Sequence, residues 1–197
     1  MSATRLLVLG VVRMYGKAHG YQVRRELLSW SADKWANVQP GSIYHALKKM
    51  SAEKLLDQVD VEPGDSGPDR VAYRLTPEGE AEFELLLTKS LSAPGITGYE
   101  MSAAVTLMTA LPRQRVIDLL RHQQVQRDAD HRNTVLLIEQ GAQYGKPPHV
   151  AALYRLWEKH NEASAIWLLD LIERLEAGEY VMADDPQRAF GEPGPTQ

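Results

Sequence analysis

A short segment in the first quarter of the chain, residues 39–50, constrains the fold most because one edge is apolar and the other is cationic. Its sequence is Gln-Pro-Gly-Ser-Ile-Tyr-His-Ala-Leu-Lys-Lys-Met. Ile43, Leu47 and Met50 recur at the spacing of one helix face, which predicts a helix packed against a core. A helix this short is not stable alone, so it must dock on other elements.

The other edge of this predicted helix carries side chains that suit a nucleic acid. Tyr44 and Lys48 are spaced about one turn apart, and His45 and Lys49 form a second such pair. The proline-glycine start adds little bulk, so backbone N–H groups and the helix dipole could approach a phosphate. We expect the following residues to contact DNA: Gln39, Ser42, Tyr44, His45, Lys48 and Lys49. A solvated helix face is the alternative interpretation.

The segments around this helix change from helical to alternating hydrophobicity. Residues 4–14 and 20–30 each carry an apolar helical face, and residues 39–50 follow after a turn. Residues 56–61 and 71–75 then alternate and are separated by a proline- and glycine-rich stretch, which predicts a β-hairpin. Three short helices followed by a hairpin form a winged helix-turn-helix.

The rest of the chain is predicted to be helical. Thr76, Pro77 and Glu78 supply an N-cap, a first-turn proline and a first-turn acid for a helix that ends near residue 91. Long helices are expected over 112–140 and from residue 150 to Gly178. The last helix has a heptad-like pattern. Its members are Val150, Leu153, Trp157, His160, Ser164, Trp167, Leu171 and Arg174 or Leu175.

These patterns predict a mainly α protein with two domains and a tail. Residues 1–92 are expected to form the winged helix-turn-helix, with three helices plus a hairpin wing. Residues 93–180 are expected to form an all-helical dimerisation domain. Residues 181–197 contain three prolines, and we predict that they are disordered.

Composition excludes several kinds of protein. The 197 residues include no cysteine, which rules out disulfides and thiolate chemistry. No apolar run approaches the roughly 20 residues of a membrane span, and a cytoplasmic location is expected. The net charge of −4 is divided unevenly, with +3 over residues 1–76 and −7 over residues 77–197. This division is typical of a DNA-reading domain joined to a separate oligomerisation domain.

No motif indicates an enzyme, a cofactor or a metal site. The sequence has no glycine-rich phosphate loop, serine-nucleophile elbow or His-Glu-x-x-His pattern. His122 and His131 are nine residues apart, so they point in opposite directions on one helix. We therefore assign no catalytic residue, no cofactor and no metal ligand.

The chain resembles the PadR family of bacterial transcriptional regulators. The resemblance is carried by His19-Gly20-Tyr21, by Pro40-Gly41-Ser42-Ile43-Tyr44 with Ala46-Leu47, and by Tyr73-Arg74-Leu75-Thr76-Pro77-Glu78-Gly79. It covers about 90 residues well and the helical half loosely. The paired long helices, with Trp167-Leu168 near the end, are similar to the subfamily that has a large C-terminal dimerisation domain.

The resemblance implies a homodimer that binds a palindromic operator and represses transcription. It implies that residues 39–50 enter the major groove, while the wing reaches the DNA backbone or minor groove. The wing tip departs from the family pattern, because Asp65 and Asp69 would be repelled by phosphate. Arg70 and Arg74 are therefore the expected wing contacts. The resemblance also implies a small-molecule effector between or near the dimerisation helices.

Four residues of the last helix are candidates for that effector site: Trp157, His160, Ser164 and Trp167. A closely packed seam would not favour His and Ser at adjacent seam positions, which favours a pocket. The alternative is that the tryptophans anchor a dimer core and the polar positions specify register. A different function is also possible for the whole chain, namely a winged helix that binds proteins through its acidic half.

Overall fold

The computed structural model describes residues 3–62, 70–93, 98–140, 147 and 149–193. The helices in these ranges are α1 (Ala3–Tyr15), α2 (Gly20–Ser29), α3 (Ala32–Trp35), α4 (Pro40–Ala52), α5 (Pro77–Ser92), α6 (Gly98–Leu107), α7 (Arg113–Gln140) and α8 (Val150–Glu176), with a 3-10 helix at Met108–Ala110. The strands are β1 (Ala18–His19), β2 (Leu56–Glu62) and β3 (Arg70–Leu75). The protein is mainly helical with one small antiparallel sheet, which confirms the predicted fold class.

The sheet has three strands, whereas the sequence pattern predicted a two-stranded hairpin. β3 lies in the middle, between β1 and β2, and Ala18 is opposite Tyr73. β1 has only two residues, too few to produce a visible alternation. The register of β2 against β3 shifts between Val59 and Val61, and Asp60 has a φ of 51°. This irregularity is a β-bulge, which bends the strand locally.

The core of the winged helix forms around α1. Leu7, Leu9 and Val11 are fully buried, and α1 packs against α2, α4 and β3. Ile43, Leu47 and Met50 of α4 are also buried, as their spacing predicted. The sequence did not predict α3, because four residues cannot show a helical period.

The start of α5 joins the wing to the helices. The Thr76 hydroxyl accepts a hydrogen bond from the Gly79 N–H at 3.0 Å, which confirms the predicted N-cap. The Thr76 N–H donates to the Leu55 carbonyl at 3.1 Å. A Cβ atom at Gly79 would lie 2.1 Å from that carbonyl oxygen, so only glycine fits this approach.

The described residues form two compact units whose bounds differ from the predicted domains. The first unit takes its described residues from Met1–Leu91, Gly95–Pro112 and Val181–Gln197. The second takes them from Ser92–Pro94 and Arg113–Tyr180. α6 and the 3-10 helix therefore belong with the winged helix, because Leu107 and its neighbours are buried there and α6 packs on α1.

The C-terminal segment, residues 181–193, is folded, so the prediction of disorder was wrong for these residues. Met182 is fully buried, and the Thr109 hydroxyl donates to the Phe190 carbonyl at 2.7 Å. Arg13 donates to the Gly191 carbonyl at 2.5 Å. The prolines suggested disorder, but Met182, Ala189 and Phe190 supply contacts that hold the segment on the first unit. Residues 194–197 lie outside the described residues.

The second unit consists mainly of α7 packed against α8. The two helices run antiparallel, since Arg113 near the start of α7 donates to the Leu175 carbonyl near the end of α8 at 2.9 Å. The buried residues of α8 are Leu168, Leu171, Ile172 and Leu175. Within the described residues, no helix combines the length and the hydropathy needed to cross a bilayer.

The face of α8 that packs inside this unit overlaps only the C-terminal end of the predicted dimer seam. Leu171 and Leu175 of that seam are buried here, whereas Leu153, Trp157 and Trp167 are exposed. A helix drifts relative to a seven-residue repeat, and the packed face shifts by about one residue over four repeats. The predicted seam thus lies largely on an uncovered face of α8.

Candidate nucleic-acid interface

The two faces of α4 are separated in the structure as the sequence predicted. Ile43, Leu47 and Met50 point into the first unit. Tyr44 keeps 43% of its surface exposed, and His45, Lys48 and Lys49 are exposed as well. The helix therefore presents a continuous polar edge of one aromatic and three basic or titratable side chains to solvent.

The N-terminus of α4 is open. Pro40 occupies the first turn, and Gln39 precedes it in an extended conformation with its side chain uninvolved in capping. Nothing in the described structure lies within 4 Å of a Cβ placed on Gly41. The Ser42 hydroxyl donates to the Gln39 carbonyl at 2.7 Å, so its proton is used locally and its oxygen remains an acceptor. Pro40 has no N–H, and the N–H groups of Ser42 and Ile43 donate to the Gln39 carbonyl at 2.9 Å and 3.3 Å, so in this first turn the Gly41 N–H remains for an anion.

The connection between α2 and α4 holds the exposed edge in place. Trp35 donates its indole N–H to the Trp30 carbonyl at 2.7 Å, and Val38 N–H donates to the Ala32 carbonyl at 3.3 Å. Ser31 and Asn37 adopt positive φ values of 56° and 53°, which turn the chain at each end of α3. α4 is thus fixed by a compact turn with defined hydrogen bonds.

Gly20 at the start of α2 allows Tyr44 to lie against it. A Cβ atom at Gly20 would approach the Tyr44 ring to 2.8 Å. Close packing against Tyr44 therefore explains why the middle residue of the His19-Gly20-Tyr21 motif is glycine. Tyr21 is 53% exposed and stacks on His19 with ring centroids 5.6 Å apart. Tyr21 is not among the DNA contacts predicted from the sequence, although the His-Gly-Tyr motif contains it.

Acidic residues near the interface are largely compensated. Arg5 pairs with Glu53 at 2.6 Å and with Glu82 at 2.9 Å. Within the described residues, Lys48 and Lys49 have no acidic partner at ion-pair distance, and both are exposed. The positive charge of α4 is consequently available to a ligand.

The wing is described only at its base. Arg74 is exposed on β3, and it lies opposite Asp57 in the strand register. Arg70 begins β3, but its side chain lies outside the described residues. Asp65 and Asp69 of the predicted acidic tip also lie outside them.

Lys17 connects the helices to the bulge in β2. Its ammonium group donates to the Asp60 carboxylate at 2.5 Å. This hydrogen bond, the charge of Lys17 and the nearby Arg74 hold the pKa of Asp60 below its usual value. Asp60 therefore stays ionised and is paired with Lys17 within the wing.

The four candidate effector residues share one face of α8 in the second unit. Trp157 is 45% exposed and Trp167 is 41% exposed. His160 is also exposed, and Ser164 is half-buried. Tyr154 contacts Trp157 with a ring-centroid distance of 5.6 Å. The structure thus brings the four side chains together along an open helix face rather than around a closed cavity.

No cluster of three or more His, Asp or Glu residues able to hold a metal occurs in the part of the chain that the structure describes. His122 and His131 lie on α7, and His160 lies on α8.

The part of the chain that contains this interface matches a known protein family. Residues 8–85 match the family model described as the transcriptional regulator PadR-like family. No curated protein matches the chain.

Three solved structures are similar to the chain over most of its length. Bacillus subtilis PadR in complex with operator DNA is 19% identical, with a TM-score of 0.39 over 87% of this chain and 98% of that one. The same protein in complex with p-coumaric acid is 18% identical, with a TM-score of 0.38 over 88% and 99%. The smu.1604c protein of Streptococcus mutans is 16% identical, with a TM-score of 0.39 over 88% and 99%.

These whole-chain scores are low, so the assignment depends on the family match. That match spans α2, α4, the wing and the start of α5, which are the elements that form and support the exposed edge of α4. Over residues 8–85, this chain is therefore similar to the PadR-like family of transcriptional regulators.

Proposed function

We propose that the protein is a homodimeric repressor that binds a palindromic DNA operator through α4. The single observation that carries this proposal is the exposed edge of α4, whose lysines have no acidic partner among the described residues. In a winged helix, the corresponding helix docks in the major groove. The proposed place of action is the cytoplasm, and no catalytic step is assigned.

The side chains of α4 divide by reach into two groups. Ser42 and Tyr44 lie near the N-terminus and are proposed to donate to phosphate, which fixes the docking register; Ser42 does so when its hydroxyl turns from the Gln39 carbonyl to the DNA. His45 and Lys49 are proposed to reach base edges, since lysine can donate to the acceptors of guanine. The positive charge of Lys48 is proposed to attract the phosphates of the DNA backbone. Gln39 lies beside the first turn of α4 and is proposed to contact the DNA there.

Two further regions are proposed to contact the DNA backbone. Tyr21 has an exposed hydroxyl-bearing ring, and its neighbour Gly20 touches Tyr44, so both tyrosines belong to one surface. Arg74 and Arg70 are proposed to bind from the wing. Contacts of this kind position the protein but carry no sequence information directly.

The second unit is proposed to hold two copies together. α8 exposes Leu153, Leu156, Trp157, Ile166 and Trp167. Monomeric proteins rarely leave so many large apolar groups on one element, and such patches usually mark interaction sites. A second copy is the partner that the palindromic operator requires, because operator symmetry mirrors protein symmetry.

An effector that binds beside Trp157, His160, Ser164 and Trp167 is proposed to release the operator. The two copies of α4 must lie about 34–36 Å apart to enter successive major grooves. A ligand that prefers another spacing lowers operator affinity by its differential affinity for the two states. An inducer that binds free and operator-bound protein equally well would contradict this switch.

A gel shift with the DNA upstream of the protein's own gene tests the function. We expect a shift that resists nonspecific competitor and that is weaker at the higher of two salt concentrations. Failure to shift any upstream fragment, together with capture of a protein partner by the full-length protein, would instead support a protein-interaction module. The charge of −7 over residues 77–197 is the observation that favours this second candidate.

A further inference from the structure

A cleft of about 500 Å³ lies in the first unit, and none of its lining residues belongs to α4. Its lining comes from the end of α1, from α2 and from the C-terminal segment. The lining residues are Met14, Tyr15, Glu26, Arg188, Ala189, Phe190, Gly191 and Glu192. The C-terminal segment therefore completes a site that the winged helix alone would not have.

Glu26 brings a carboxylate to this cleft that forms no ion pair among the described residues. Its Oε2 accepts a hydrogen bond from the Tyr15 hydroxyl at 2.8 Å. Its Oε1 accepts one from the Trp30 indole N–H at 3.1 Å. Both donors are neutral, and no Lys or Arg among the described residues lies within ion-pair distance of Glu26. The bond to Glu26 raises the pKa of Tyr15, and the nearby Arg25 opposes this shift only in part, so the phenol stays protonated as a donor.

The opposite side of the cleft is also rich in acceptors. The Glu192 carboxylate accepts a hydrogen bond from the Ala189 N–H at 2.9 Å, and it too forms no ion pair among the described residues. Arg188 donates to the carbonyls of Met14, Glu192 and Pro193 at 3.3–3.4 Å. These bonds are long, so they hold the exposed guanidinium weakly.

Apolar groups complete the lining. Phe190 is 43% exposed and contacts Trp30 with a ring-centroid distance of 5.4 Å. Met14 and the Tyr15 ring lie nearby at the end of α1. Aromatic faces and carboxylates together are the groups that recognise organic cations. We propose that this cleft binds a small organic cation, an amine or quaternary ammonium ion that carries an aromatic or other apolar group.

The Trp30 indole provides a direct reporter, because it donates to Glu26. The full-length protein labelled with ¹⁵N is titrated with benzyltrimethylammonium, with neutral benzyl alcohol and with anionic benzoate. A Trp30→Phe variant assigns the Trp30 indole signal. We expect the cation to move this signal with saturation, and the other two probes to move it far less. An equal response to all three probes, or a response confined to Trp157 and Trp167, would overturn the proposal.

Charge variants test the chemistry further. Glu26→Gln and Glu192→Gln should each weaken binding of the cation roughly fivefold, as expected for loss of a partly exposed charge interaction. Glu84→Gln changes an exposed acid on α5 and should leave binding unchanged. Because Glu26→Gln disturbs two hydrogen bonds, the thermal midpoint of each variant is measured first, and Glu192→Gln provides the decisive comparison if Glu26→Gln does not fold.

Arg188 distinguishes a cation from an anion as the ligand. Arg188→Ala should tighten binding of benzyltrimethylammonium, since it removes the competing guanidinium. Weaker binding of this cation in Arg188→Ala, or tighter binding of benzoate than of the cation by the natural protein, would contradict the proposal.

Discussion

At the residue scale, Lys48 and Lys49 carry the clearest expectation for DNA binding. Both are exposed and have no acidic partner among the described residues, whereas Ile43 and Leu47 on the other face are buried. Lys48→Ala and Lys49→Ala should each weaken operator binding. Each should also lower the slope of log affinity against log salt concentration by about one unit, because binding then releases one fewer counterion from the DNA. Fluorescence anisotropy with labelled operator across a salt series measures both quantities.

A matched control for this pair is Lys89→Ala. Lys89 is exposed in the last turn of α5 and belongs to no proposed contact. Its substitution should leave affinity and salt slope unchanged. An unchanged slope in the Lys48/Lys49 double variant would remove α4 from the interface.

Substitution by alanine is expected to have opposite effects on stability at two glycines of the first unit. Gly79→Ala should destabilise the protein by about 1–3 kcal/mol or more. The new methyl group would clash with the Leu55 backbone carbonyl, which cannot move aside as a flexible side chain can. Gly41→Ala should stabilise it by up to about 1 kcal/mol. Alanine loses less conformational freedom than glycine when the helix forms, and its methyl group would contact nothing at this position. Urea unfolding of both variants measures the difference.

Gly41→Ala also has a functional consequence. Its added methyl group stands at the open N-terminus of α4, where the backbone is proposed to approach a phosphate. We therefore expect a more stable protein that binds operator more weakly. Equal or tighter operator binding by Gly41→Ala would show that this N-terminus does not contact DNA.

At the element scale, the C-terminal segment tests how far burial overrides composition. Met182 is fully buried and its neighbour Val181 is 41% exposed. Met182→Ala should lower the free energy of unfolding by about 2–5 kcal/mol, while Val181→Ala should change it by less than about 0.5 kcal/mol. Chemical denaturation of the two variants provides the comparison, and equally small effects would mean that the segment is not packed.

The elements that sequence could predict are those with a strong period or a defined cap. α4 was predicted from Ile43, Leu47 and Met50, and the start of α5 was predicted from Thr76. β1 and α3 are too short to produce a pattern, so only packing reveals them. The polar side chains of α4 could be predicted because the same spacing that buries one edge exposes the other.

The C-terminal half was predicted less well, for a physical reason. The long helices were identified correctly, but the heptad pattern did not indicate which of its members pack within one chain and which stay exposed. Leu171 and Leu175 are buried in the second unit, while Trp157 and Trp167 remain exposed. The fold of the C-terminal segment depends on contacts with residues more than 70 positions away, such as Thr109 with Phe190. Local sequence does not encode such contacts.

At the scale of the whole molecule, the uncovered face of α8 predicts the state of assembly. Trp157→Glu combined with Trp167→Glu should convert a dimer into a monomer of 22.1 kDa, because buried charges oppose association. Light scattering after size-exclusion chromatography measures the mass. Arg155→Glu, an exposed change elsewhere on α8, should leave the dimer intact. A natural protein that is already monomeric at micromolar concentration would contradict the proposed dimer.

The most direct test of the central claim uses the absence of cysteine. A single cysteine at Ala52, an exposed position at the end of α4, accepts an iron chelate that cuts nearby DNA. A dimer with α4 in successive major grooves should produce two groups of cuts about one helical turn, roughly 34–36 Å, apart. A conjugate at Lys89 on α5 serves as the control and should cut weakly. Operator that stays bound but is cut no more from position 52 than from position 89 would contradict the account.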